Sequence, residues 1–177
     1  MITTVGKEMG KAMMETLEQL AFMDVYADNE VSIGKYLEQE EDCFTSSIDL
    51  KSPQAGTLVI SMPSILLDTI ASVIYNDGYM SNAPESPAVE DQDAANPGKS
   101  KSDLKHSKET LFDVLSEILN TLAGNFLSIV VPEEKVFSIG FPVTVLEKPE
   151  EKLLDKTENW LFYKLQEKFI CAVYIDI

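Results

Sequence analysis

The chain has 177 residues, 45% of them hydrophobic, enough for one globular domain with a sizeable core. It carries 30 acidic against 14 basic residues, a formal charge of −16, and every basic residue is lysine. That balance argues against a nucleic-acid partner, and without arginine there is no bidentate phosphate clamp and no arginine finger.

In chain order, Met9, Met13, Leu17, Leu20 and Met23 recur at helical spacing and predict an amphipathic first helix over about Lys7–Val25. A polar, acidic stretch follows. CFTSSIDL (43–50) and TLVISMP (57–63) read as strands joined by the turn Ser52-Pro53-Gln54-Ala55-Gly56, hence a hairpin. Pro63 cannot continue a central strand, and Ser64 is placed to cap a second helix, SILLDTIASVIYND. Residues 80–107 hold three prolines and few large apolar side chains, and read as a mobile linker between two halves. A third helix is predicted from about Ser107 to Ile129, with Ser107 as its N-cap and Thr110 as the alternative. VFSIGFPVTVLE (136–147), WLFYKLQEK (160–168) and FICAVYIDI (169–177) read as strands. The result is an α+β fold, helices packed on a largely antiparallel sheet, whose halves share a rhythm that hints at internal duplication.

Most candidate sites fail on their chemistry. His106, the single histidine, falls in the linker, which leaves Ser-His-Asp and Cys-His catalysis without a placed base. Cys43 and Cys171 lie in strand-like apolar surroundings and read as reduced core thiols, with no companions at metal-ligand spacing. Pro97-Gly98-Lys99-Ser100 imitates the end of a phosphate loop, but Asp93 stands where its first glycine belongs. The acidic run at 38–42 fits no known cation loop and reads as solvated. The opening MITTVGKEMGK lacks the apolar run of a signal peptide, and runs such as LVISMPSILL are too short to span a bilayer. A cytoplasmic protein without a membrane partner is therefore expected.

The third helix is different. Asp113, Glu117, Asn120 and Gly124 follow the spacing i, i+4, i+7, i+11 and form one stripe, with Leu111, Leu115, Ile118, Leu119, Leu122 and Phe126 opposite. Solvation of an outer helix face accounts for many such stripes. Asparagine and glycine are nonetheless poor helix residues, glycine by about 1 kcal/mol relative to alanine. Gly124 would also let a partner come close to the helix. A carboxylate, a carboxamide and a gap can engage another molecule and position a water.

The run Asp113-x3-Glu117-x2-Asn120, with Pro142 on a later strand, resembles the signature of the CheC/CheX/FliY phosphatases of bacterial chemotaxis. SEILNTLAGNF, FSIGFPVTV and MMETLEQLAFMDV resemble the corresponding CheX helix, the proline strand and the first helix of that family. CheC resembles a duplicated version with a second Glu-x2-Asn; here that stretch reads Glu18-Gln19-Leu20-Ala21, which makes the chain CheX-like. The resemblance implies hydrolysis of the aspartyl phosphate on a CheY-like response regulator, in chemotaxis or another two-component pathway. It implies Glu117 and Asn120 as catalytic residues, with Asp113 as a supporting partner contact; Gly124 is expected as a partner contact from the gap it leaves on the helix. The resemblance also implies no metal or cofactor bound by this chain, the Mg²⁺ coming with the regulator, and a homodimer through a sheet edge, for which FICAVYIDI is the candidate strand. A non-catalytic adaptor or flagellar-switch-type module using the same face is the alternative, and an acidic chaperone-like domain is a third.

Overall fold

The computed structural model describes residues 4–40, 42–53, 55–77, 104–166 and 168–177. The segment 78–103, with most of the predicted linker and its imitation phosphate loop, lies outside them. Helix α1 (Thr4–Ala21) buries Met9, Ala12, Met13, Thr16, Leu17 and Ala21, while Met14 points outward. The acidic stretch after it holds two elements that were not predicted, β1 (Val25–Ala27) and α2 (Ile33–Gln39). Three and seven residues are too few for either period to emerge. Helix α2 forms because Ser32 caps it, its hydroxyl accepting from the Lys35 N–H.

The predicted hairpin is present as β2 (Cys43–Ser52) and β3 (Gly56–Pro63), in register from Cys43↔Pro63 to Leu50↔Gly56. Helix α3 (Ser64–Asp77) follows without a break. Ser64 does not cap it by accepting; its hydroxyl and its N–H both donate to the Asp42 carbonyl. Helix α4 (Lys108–Val130) is capped by Ser107 and not by the alternative Thr110, through a bond from the Thr110 N–H to the Ser107 hydroxyl. The expected strand over 136–147 is two fragments, β4 (Ser138–Ile139) and β5 (Val143–Val145). Pro142 has no N–H to give a ladder, so pairing stops there. A short α5 (Glu151–Leu154) precedes the final hairpin, β6 (Trp160–Leu165) and β7 (Phe169–Asp176).

The strands form one antiparallel sheet in the order β1-β6-β7-β3-β2-β4, with β5 also on β2. Exchanging the two halves of the chain leaves this order unchanged. The short strand of each half lies on the outside of the other half's hairpin, β1 on β6 and β4–β5 on β2, while β3 and β7 meet in the middle. One face packs Phe44, Ile48, Leu58, Ile60, Cys171 and Val173 against α1, α3 and α4. The other packs Cys43, Val59, Phe162 and Tyr174 against Ile33 and Tyr36 of α2. Both cysteines are free and buried.

This order corrects the expected dimer edge. The terminal strand is β7, and both of its sides are taken, by β6 and β3. Its continuous apolar run is that of a strand buried on both faces, which the sequence alone does not distinguish from an exposed edge. At the centre, a Cβ on Gly56 would overlap the Asp176 carbonyl oxygen, so the β3–β7 approach requires glycine there.

Residues 104–107 are placed, against the linker reading. His106 Nδ1 donates to Asp68 Oδ1 at 2.8 Å, and the ring stacks on Tyr75. The same carboxylate accepts from the backbone N–H groups of Lys105 and His106. A carboxylate only accepts, so the proton of the ring contact sits on Nδ1. Burial pushes the Asp68 carboxyl up, but the bonds from His106 and the two backbone N–H groups outweigh it and hold it below its ordinary value of 3.8.

Two outcomes follow for stability. Gly56→Ala is expected to lower unfolding free energy by about 1–3 kcal/mol, the usual cost of overpacking, in urea denaturation. Because the carboxyl of Asp68 is depressed in the folded chain, its contribution is complete above pH 3.8 and disappears as pH falls through the lower folded value. Asp68→Asn should therefore cost about 1–3 kcal/mol at pH 7, and the gap from the native protein should close in acid; a gap unchanged down to pH 3 would contradict this clamp.

Candidate functional site

Helix α4 presents its two sides unambiguously. Leu111, Val114, Leu115, Ile118, Leu119, Leu122, Ala123, Phe126 and Leu127 are all buried. Asp113, Glu117 and Asn120 are exposed, and their Cβ atoms are spaced roughly 5–6 Å apart as i, i+4 and i, i+3 neighbours. Two carboxylates at i, i+4 destabilise a helix slightly, by about 0.2–0.5 kcal/mol, and Asn120 adds to that cost. Nothing in the helix's own energetics favours this stripe.

The facing wall is the turn between β4 and β5. Ile139, Gly140, Phe141 and Pro142 close an open hollow of about 650 Å³ against Asp113, Ser116, Glu117 and Asn120. The turn is pinned at both ends. Gly140 N–H donates to the Asp49 carbonyl at 2.7 Å, and Thr144 donates to Ser46 Oγ at 2.8 Å. Thr144 Oγ1 also lies 2.7 Å from Ser116 Oγ, so three hydroxyls in a row tie α4 to β5 and β2. This chain sets the height of Pro142 relative to Asn120.

Asp113, Glu117 and Asn120, which the helical stripe singles out, and Pro142, which the resemblance marks, thus come together in one hollow. Gly124 does not line it; it is half-buried one turn further on, with open space where a Cβ would stand. Ser116, Thr144 and Phe141 were missed. The signal for the last was legible, a bulky aromatic between glycine and proline in an exposed turn, whereas a lone Ser or Thr gives no sign of a tertiary hydroxyl bond. Among the described residues the lining holds two carboxylates and no basic residue, so its field favours a cation brought from outside. Among the described residues, no group of three His, Cys, Asp or Glu side chains is arranged to hold a metal, and no helix is long and apolar enough to cross a membrane.

The matching position on α1 differs in kind. Ala21, where a second asparagine would stand, is only 2% exposed at the end of the helix, and the chain then turns through Phe22 at φ 52°. A larger and more apolar hollow of about 790 Å³ lies beside α1, bordered by Met14, Trp160 and Phe162 with Lys7 and Lys11. It does not combine an outward acid and amide on one helix.

No protein-family model matches the sequence, and no curated protein matches it. Solved structures do. Over 96% of this chain and 94% of the other, it superposes on the CheX of a CheX–CheY–BeF₃–Mg²⁺ complex from Borrelia burgdorferi, at TM-score 0.61 and 18% identity. The chemotaxis protein CheX from Vibrio vulnificus matches over 99% of both chains at TM-score 0.63 and 15% identity. Thermotoga maritima FliY matches over 98% of this chain and 86% of its own, at TM-score 0.58 and 12% identity. With its palindromic sheet, its three helices on one face and these near-complete superpositions, the chain has the fold shared by CheX and FliY proteins.

Proposed function

We propose that this chain is a CheX-like phosphatase that removes the phosphoryl group from the aspartyl phosphate of a CheY-like response regulator, in chemotaxis or another two-component pathway. The observation that carries this reading is the hollow in which Glu117 and Asn120 stand outward beside Pro142, on a fold that matches a protein solved in complex with CheY.

The residues suit the chemistry. An acyl phosphate is already activated, and phosphoryl transfer depends on positioning and on stabilising charge. Asn120 offers a carboxamide whose oxygen can accept from a water and hold it in line with the phosphorus. Attack there breaks the phosphorus–oxygen bond and returns the regulator's carboxylate. Glu117 pairs with a lysine of the regulator, which also brings its Mg²⁺; the absence of arginine and of a basic lining then costs the reaction nothing. Asp113 adds a supporting contact at the rim, and Gly124 extends the docking stripe beyond the hollow.

Two substitutions separate the roles. Asn120→Ala should leave regulator binding intact and reduce accelerated dephosphorylation by about a hundredfold, the scale of an orientation effect. Glu117→Lys should instead weaken docking, because it sets two cations against each other. Titration calorimetry reads the first quantity and loss of labelled phosphate the second. A regulator bound with Glu117→Lys as tightly as with the native chain would put the docking face elsewhere. Binding without any effect of the native chain on phosphate lifetime would favour the adaptor reading.

A further inference from the structure

Strand β5 and the turn before it carry an inverted pattern. Thr144, the residue that points inward, is polar and bonded to Ser46 and Ser116, while Phe141, Val143 and Val145 alternate with it and face out. Phe141 is 91% exposed, Val143 63% and Val145 41%. Half-buried strands ordinarily place their apolar residues the other way round. Exposing a phenylalanine on a backbone pinned by Gly140, Pro142 and Thr144 leaves an apolar group presented in one fixed place, which is the character of an interface anchor.

We propose that Phe141 is the apolar anchor by which the site docks its partner, with Val143 and Val145 continuing the contact along β5. The occupant is a receiver domain that offers an apolar hollow next to the lysine meeting Glu117, so the inference rests on the function proposed above. Position and charge select this occupant. Phe141 forms part of the same hollow as Glu117 and Asn120, so whatever enters one meets the other. A second copy of this chain would bring its own Asp113 and Glu117 and another net charge of −16 to the same place, which opposes self-association.

The test compares the native chain with Phe141→Ala on a panel of CheY-type receivers activated with beryllofluoride and Mg²⁺, by calorimetry, and on the same receivers phosphorylated, by phosphate release. The exposed ring makes loss of folding unexpected, and circular dichroism checks it. Phe141→Ala should weaken binding roughly 10–100-fold and raise KM in step, with kcat unchanged. Equal affinity and KM for the variant, on a receiver that the native chain binds, would overturn the anchor alone. A native dimer that becomes monomeric in Phe141→Ala, with receiver affinity unchanged, would also overturn it and assign the strip to a second copy. If the variant binds more weakly but the native chain leaves the phosphate lifetime unchanged, the anchor stands and the phosphatase reading falls. A native chain that binds none of the receivers would overturn both.

Discussion

The buried stripe of α4 is the constraint on which everything else depends. Its side chains from Leu111 to Leu127 fill the space between α1, α3 and the sheet. Each large apolar chain is worth about 1.5–3 kcal/mol when buried, so turning the helix enough to expose four of them would cost on the order of 6–12 kcal/mol. A domain's whole stability is about 5–15 kcal/mol. The helix therefore has one permitted rotation, and in it Asp113, Glu117 and Asn120 face outward.

Rotation alone would leave the stripe facing empty solvent. The opposite wall comes from the exchange of short strands between the halves, which lays β4 and β5 on the outside of β2 under the same helix. The hydroxyls of Ser46, Thr144 and Ser116 then fix the separation between helix and turn. Such a chain is sensitive to its environment, since an unpaired buried hydroxyl costs about 1–3 kcal/mol, and this favours one arrangement over nearby ones. On α1 the corresponding half of the pattern ends in a buried alanine, so the symmetry of the fold does not extend to a second acid and amide.

What could be read from the sequence follows the length of each element and the reach of its contacts. The long helices and the β2–β3 hairpin show their periods plainly, and the cap of α4 is narrowed to Ser107 or Thr110. Elements β1 and α2 are shorter than the window in which a period shows. FICAVYIDI looks the same whether its edges are paired or open; only the order of the sheet shows that β7 is central. His106 looks unanchored in the sequence because Asp68, which holds it, is 38 positions away on helix α3. In the site, one stripe of one helix was legible as a local pattern, whereas the proline facing it was marked only by the resemblance to the CheC/CheX/FliY signature. Ser116 and Thr144, and the outward direction of Phe141, depend on how separate segments meet.

In the proposed chemistry this chain supplies position and little else: an amide for a water, an acid for a lysine, and a rigid turn. Charge neutralisation and metal come with the partner, consistent with an acidic surface that holds no arginine. The most direct test is the lifetime of the aspartyl phosphate on pre-phosphorylated CheY-type receivers, measured in Mg²⁺ with and without the native chain in excess. The account predicts a lifetime shortened on at least one receiver. Lifetimes unchanged on every receiver that the chain binds would contradict it.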